Sequence, residues 1–223
     1  TSLYHRRHRK CPIQSTKTII MNVHKSGFVN IIGNPNSGKS TIFNNLTGLR
    51  QKTSNFPGIT VEHKSGSFTY KENSYSVVDL PGTYSLFPNS KDEKLVCEIL
   101  LNPSNENYPD IVVYVADINN LERHLLLATQ ILDLNIPVIL VLNMIDVFHE
   151  NKNEINLDII KEKLQVPIII SNARELKSTQ DIKEQIFLCR KSKPSNTETP
   201  SFYKFTENET FATVQVNSLL GSE

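Results

Sequence analysis

The chain predicts an α/β fold, a mostly parallel sheet with helices on both faces. Three observations predict it. Ile111 to Ala116 and Val138 to Leu142 are unbroken apolar runs rich in β-branched residues, the pattern of strands buried on both sides. Between them, Leu121 to Leu134 has apolar residues at 121, 125, 128, 131 and 132, one face of a helix. Earlier, Gly33-Asn34-Pro35-Asn36-Ser37-Gly38-Lys39-Ser40 reads G-x-x-x-x-G-K-S between a strand-like and a helix-like stretch, a phosphate-binding turn at a strand's carboxyl end.

In order, residues 1–26 hold the basic run His5 to Lys10 and no clear period, so they are expected to be an arm. Phe28 to Ile32 is a strand, and a helix from Thr41 ends near Gly48, a suitable terminal glycine. Gln51 to Gly58 reads as loop, with Pro57-Gly58 as its turn. Val61 to Tyr70 and Ser74 to Leu80 read as two strands of a hairpin joined near Lys71-Glu72-Asn73. Ser90-Lys91-Asp92-Glu93 is a capping box opening a helix to about Leu101, stopped near Pro103. Leu157 to Leu164 is a helix, Val166 to Ile170 a strand, and Asp181 to Cys189 a closing amphipathic helix. After Arg190 the pattern stops: residues 191–223 read as a linker and an aperiodic end, leaving 27–190 as the folded domain.

Composition narrows the field. With 38% apolar and 21% charged residues in 223, one α/β domain with a substantial core is within reach. The net charge of +1 gives no global reason to expect nucleic acid or an anionic membrane as partner. Cys11, Cys97 and Cys189 are odd in number and far apart, which suits a reducing cytosol rather than a disulfide framework. The longest apolar runs are too short to cross a bilayer. The first residue is Thr1, so the chain is expected to be a piece of something longer.

The chemistry gathers at strand ends, where an open α/β sheet binds its ligand. Gly33 and Gly38 let the backbone curl, so that N–H groups from Asn34 to Ser40 and Thr41, other than that of Pro35, can surround anionic oxygens at a helix N-terminus. Lys39 is placed to reach β- and γ-phosphates, and the Ser40 hydroxyl to sit on Mg²⁺. Asp79-Leu80-Pro81-Gly82 ends the next strand; Asp79 can hold water on Mg²⁺, and the Gly82 N–H can meet the γ-phosphate. Asn143-Met144-Ile145-Asp146 ends another strand. There Asp146 can accept hydrogen bonds from guanine N1–H and its 2-amino group, which adenine lacks, so ATP is rejected. Asn143 would tie the base loop to the phosphate loop, with Met144 between them in the base loop. Thr60, in the loop Pro57-Gly58-Ile59-Thr60, can complete a Mg²⁺ shell only beside a γ-phosphate, which makes a switch. Ser171-Asn172-Ala173 ends a further strand, and a backbone N–H there, of Ala173, can touch guanine O6. These are five guanine-nucleotide motifs in order.

Four strings carry a closer resemblance: Gly33 to Lys39, Asn55-Phe56-Pro57-Gly58-Ile59-Thr60-Val61-Glu62, Asp79-Leu80-Pro81-Gly82-Thr83-Tyr84-Ser85-Leu86 and Asn119-Asn120-Leu121-Glu122-Arg123-His124-Leu125. With the Asp92-Glu93-Lys94 helix start, they make residues 27–190 similar to the cytosolic G domain of the ferrous iron transport protein B family. The resemblance implies a Ras-like P-loop GTPase fold of the TrmE-Era-EngA-like group, with a six-stranded sheet carrying one antiparallel edge hairpin. It implies GTP and GDP as ligands, slow hydrolysis, and a place on the cytoplasmic face of a bacterial inner membrane, regulating Fe²⁺ transport. The implied partners are the transmembrane portion of the same transporter, small accessory proteins and further copies of itself; no nucleic acid is expected. A Gln often follows the D-x-x-G glycine in GTPases; here Thr83 stands there. Asn36 occupies a position where related GTPases use Asn to bind K⁺, so K⁺ stimulation is expected. Asn172 stands where the family more often has Ser or Thr, and Phe56 where it often has Trp. The helical subdomain usual after the last motif is not apparent in 191–223. A free-standing GTPase of ribosome or tRNA work, with the basic arm on RNA, and a non-catalytic GTP/GDP sensor are the competing readings. An ATPase would leave Asp146 idle.

Overall fold

The computed structural model describes residues 25–48, 51–56, 61–150 and 155–191. One sheet organises them, with strand order β2-β3-β4-β1-β5-β6-β7. The strands are β1 (Lys25–Gly33), β2 (Gln51–Asn55), β3 (Glu62–Tyr70), β4 (Asn73–Asp79), β5 (Ile111–Asp117), β6 (Val138–Asn143) and β7 (Ile168–Ile170). From β4 through β7 every pairing is parallel; β3 runs antiparallel to both β4 and β2. The helices are α1 (Lys39–Thr47), α2 (Lys91–Leu101), α3 (Leu121–Leu132), α4 (Ile145–Glu150), α5 (Leu157–Leu164) and α6 (Leu176–Lys191).

The apolar runs become the central strands because both faces are covered. All of β6 and all but the last residue of β5 are buried. On one face Tyr114, Ala116, Leu140 and Leu142 pack with Leu95 and Ile99 of α2 and Leu127 and Ile131 of α3. On the other, Val113, Val115, Ile139 and Val141 pack with Ile42, Phe43 and Leu46 of α1 and Ile182 and Ile186 of α6. Alternation along each strand splits its side chains between the two cores.

Four expectations change. The sheet has seven strands, not six, because Gln51–Asn55 pairs with β3 in register from Gln51↔Gly66 to Asn55↔Glu62. Its main-chain hydrogen bonds leave no apolar alternation in a polar sequence, and the exposed Lys52 suits an edge. The expected arm gives up Lys25 and Ser26 to β1. The last helix starts at Leu176, five residues early, and runs through Lys191. A short α4, unforeseen, follows β6.

Local chemistry explains the joints. Lys71 and Glu72 both have positive φ, 45° and 67°, the mark of a two-residue I′-type turn whose twist fits a hairpin. The Ser90 hydroxyl accepts from Glu93 N at 3.2 Å, as a capping box requires. The Glu93 carboxylate reaches back to Asn89 N at 2.9 Å, one residue beyond the usual partner, the Ser90 N–H.

Phe43 is fully buried beneath the sheet. Phe43→Ala should therefore lower unfolding free energy by about 3–5 kcal/mol, read as a lower urea midpoint at unchanged slope.

Candidate functional site

The carboxyl ends of β1, β4, β6 and β7 bring the expected loops together. Between β1 and α1 the chain must turn with almost no room. A side chain at Gly33 would strike the Val115 carbonyl, and one at Gly38, where φ is +90°, would strike the Asn143 amide. Asn36 also sits in the left-handed region at φ 63°, which asparagine tolerates better than most residues. Ser37 N donates to Asn34 O at 3.3 Å, closing the turn. The Lys39 ammonium donates to the same carbonyl at 3.1 Å. Burial lowers the Lys39 pKa, and the nearby Asp79 carboxylate offsets part of that.

Asp79 ends β4 beside this loop. Its Oδ2 accepts from the Ser40 hydroxyl at 2.8 Å. Its Oδ1 is buried and has no hydrogen-bond partner. Burial raises the Asp79 pKa against the pull of Ser40, Lys39 and Lys64. A hydroxyl beside a carboxylate with a spare buried oxygen is a donor set that fits a hard divalent cation. A cleft of about 420 Å³ opens here, lined by Lys39, Ser40, Asp79, Pro81 and Gly82 among others. The turn after Asp79 is latched to the phosphate loop: Thr83 N donates to Gly33 O at 3.3 Å. A Cβ at Gly82 would lie 3.0 Å from Pro35, so any larger residue would have to push that loop back by a few tenths of an ångström.

On the far side, the buried Asn143 amide joins three segments. Its Nδ2 donates to Ser37 O at 2.9 Å, and its Oδ1 accepts from Ala173 N at 3.0 Å. The Asn45 side chain holds Ala173 O from α1. Met144 takes a positive φ of 66°, turning the chain so that Asp146 enters the first turn of α4. The Asp146 carboxylate is 3.5 Å from the Arg174 guanidinium. The Ser171 hydroxyl is buried without a partner. One expectation shifts: the Ala173 N–H is spent on Asn143 rather than presented outward, so any contact with a base would share that bond.

Pro57, Gly58, Ile59 and Thr60, expected as switch residues, lie outside the described residues, as do the expected arm through His24 and everything after Lys191. The flanks of that loop are pinched: Phe56 N donates to Val61 O at 3.1 Å, and the Phe56 ring stacks on His63 at 4.0 Å. Thr83, at the position after the D-x-x-G glycine, is fully buried. Its hydroxyl lies 2.9 Å from Ser85 O and 3.3 Å from Glu93 Oε1, so it faces α2 rather than the cleft.

Sequence reasoning missed Arg174, Asn45 and Tyr114. Only Tyr114 left a signal, a lone hydroxyl within an otherwise apolar run, which must find a partner if buried.

Comparison with known proteins bears on this geometry. The family model described as Ferrous iron transport protein B matches residues 28–186. The Fe(2+) transporter FeoB of Shigella flexneri is 43% identical over 145 residues, which are 63% of this chain and 18% of that protein. The FeoB of Escherichia coli K12 matches at the same identity and coverage. The chain thus spans 18% of the length of the curated relatives it matches. Among solved structures, the G domain of the T. maritima FeoB iron transporter superposes with a TM-score of 0.66 at 37% identity, covering 72% of this chain and 96% of that one. The cytosolic domain of T. maritima FeoB in a GDP form gives 0.71 at 34% identity, over 87% and 75%. An S. thermophilus NFeoB mutant bound to GDP gives 0.65 at 35%, over 87% and 72%.

The raised Asp79 pKa has a sign that can be tested. The folded protein holds this proton more tightly than the unfolded chain, so ionised Asp79 costs stability above its folded pKa. Asp79→Asn should raise the melting temperature of magnesium-free, nucleotide-free protein at pH 7. The gain should fade as pH drops through the raised folded pKa and vanish below the ordinary carboxylate range, where wild-type Asp79 is protonated in both states.

Proposed function

This chain belongs to the ferrous iron transport protein B family, and we propose that residues 27–190 are a G domain that binds guanine nucleotide and slowly hydrolyses GTP to GDP and phosphate. One observation carries the reading. The Asn143 amide fastens the phosphate loop at Ser37 to the Ala173 loop, so that the segments read as phosphate site and base site form one unit. Related G domains solved with GDP support it.

In this reading the backbone from Gly33 to Thr41 cradles the phosphates, and Lys39 exchanges the Asn34 carbonyl for β- and γ-phosphate oxygens. Ser40 and Asp79 would hold a Mg²⁺ ion, a task the spare Asp79 Oδ1 fits, and the ion would supply positive charge against those oxygens. Asp146 accepts from the guanine N1–H and 2-amino group, with Arg174 yielding or sharing the carboxylate. Asn143, Met144 and the loop Ser171-Asn172-Ala173 complete the base site. Pro57, Gly58, Ile59 and Thr60 close on the γ-phosphate, and Gly82 N–H meets it from the other side. Catalysis is then positioning and charge neutralisation. The turned-away Thr83 leaves no side chain to orient water at its position, which suits a slow rate. Asn36 is the candidate K⁺ ligand; its exposed amide at the loop apex supplies one oxygen.

For the whole protein we propose that nucleotide-dependent movement of the switch loops regulates Fe²⁺ transport from the cytoplasmic face of a bacterial inner membrane. Its partners there are the transmembrane portion, small accessory proteins and other copies of itself. No helix among the described residues is long and apolar enough to cross a membrane. The Thr83 geometry also favours a second reading, a GTP/GDP sensor with incidental turnover; single-turnover hydrolysis against residence time separates the two.

Calorimetry should show Mg²⁺-dependent uptake of GDP by the chain. Asp146→Asn should weaken GDP by roughly 100-fold, two charged hydrogen bonds' worth, and favour xanthosine diphosphate; unchanged preference for guanine would refute the base assignment. Steady-state phosphate release should be severalfold faster in KCl than in NaCl. Asn36→Ala should erase that difference, and equal rates in both salts for wild type would remove K⁺ from the account.

A further inference from the structure

We propose that the Tyr114 hydroxyl is a positioning group for nucleotide retention, clamping Asn34 of the phosphate loop to the backbone of α3. The proposal rests on the guanine-nucleotide reading of the site.

Tyr114 lies mid-strand in β5 and is fully buried, as is the Asn34 side chain. Packing alone would accept Phe at this place; the hydroxyl costs free energy in an apolar strand unless it is hydrogen-bonded. It lies 2.8 Å from Asn34 Oδ1 and 2.6 Å from the His124 carbonyl of α3. A phenol has one proton and can donate to only one of them. With the proton on the His124 carbonyl and the Asn34 amide turned over, Nδ2, which otherwise has no partner, donates to the phenol oxygen and both contacts are satisfied.

What the clamp holds is the part of the loop that holds Lys39. The Asn34 carbonyl accepts from Lys39 Nζ and from Ser37 N. Fixing the Asn34 side chain from behind fixes this peptide plane, and with it the turn closed by Ser37 N and, before nucleotide enters, the resting place of Lys39. The clamp also ends on a shared support. The His124 ring accepts from Asp117 N at 3.0 Å; the Asp117 carboxylate holds the Asn119 amide, which donates to Met144 O in the base loop at 3.4 Å. Farther along α3, Gln130 accepts from Leu86 N at 2.8 Å, in the segment after Gly82. Phosphate loop, base loop and the D-x-x-G segment therefore share one helix as anchor.

Loosening Asn34 should let bound phosphates escape sooner while leaving encounter, set by diffusion and docking, unchanged. The test is stopped-flow fluorescence of the 223-residue chain with a fluorescent N-methylanthraniloyl GDP and Mg²⁺. Tyr114→Phe should release the nucleotide about tenfold faster at an unaltered association rate, the worth of one buried hydrogen bond. Asn34→Ala should do the same, and the double variant should go no further. Release within about twofold of wild type, or single effects that multiply in the double variant, would overturn the clamp. A merely structural hydroxyl would lower the melting temperature of nucleotide-free protein and leave release alone. If Tyr114→Phe does not fold, Asn34→Ala decides by itself on the same criterion. Wild type that takes up no labelled GDP would instead sink the guanine-nucleotide reading, a result distinct from normal binding with unchanged release.

Discussion

The two hydrogen bonds of one buried side chain hold the candidate site in register. Asn143 gives its N–H to Ser37 O and takes one from Ala173 N, so loops separated by more than a hundred residues of chain are fastened to one another. Both partners are backbone atoms, so the lock depends on main-chain geometry rather than on neighbouring side-chain identity. That geometry follows from glycine: at Gly38 any Cβ would occupy the space of the Asn143 amide. A buried amide with either bond missing would cost about 1–3 kcal/mol, so the arrangement is all or nothing.

Around that lock the charges are arranged against water. Lys39 and Asp79 are both largely removed from solvent, and burial pushes each toward its neutral form. Each keeps a partner: the Asn34 carbonyl for the lysine, the Ser40 hydroxyl for the carboxylate. An ammonium and a carboxylate with a spare oxygen, facing one cleft, form a site ready for a polyanion with its counter-cation. Interactions made there are stronger than at the surface because little solvent screens them. The same desolvation makes the empty arrangement costly, which links the electrostatics of the cleft to the stability of the fold.

The turn after Asp79 has the opposite character. Its Thr83 hydroxyl, Tyr84 N and Asn89 N all look to the Glu93 carboxylate on α2. Arg123 of α3 lies over the exposed Tyr84 ring at 4.3 Å. The segment is thus tied to two helices while its Gly82 abuts the phosphate loop at Pro35. Static contacts therefore join the Gly33–Lys39 loop, through Gly82, to α2 and α3.

Much of this was legible in the residues. The apolar runs of β5 and β6, the hairpin, the capped α2 and the strand-loop-helix around Lys39 follow from periodicity and turn chemistry, because those signals are local. The motif residues Gly33, Gly38, Ser40, Asp79, Asn143 and Asp146 were placed at strand ends for the same reason. β2 was not legible: an edge strand held by main-chain bonds leaves no side-chain period. Nor were the early start of α6 or the short α4, whose sequences carry weak apolar spacing. Sequence alone determined which chemical groups the chain would gather and in what order along the sheet, since periods and turns depend on near neighbours. Only the tertiary structure decided which groups face one another. Ala173 N–H goes to Asn143, Thr83 turns to Glu93, and Tyr114 reaches Asn34 and His124, because long-range contacts are set by how the helices pack over the sheet.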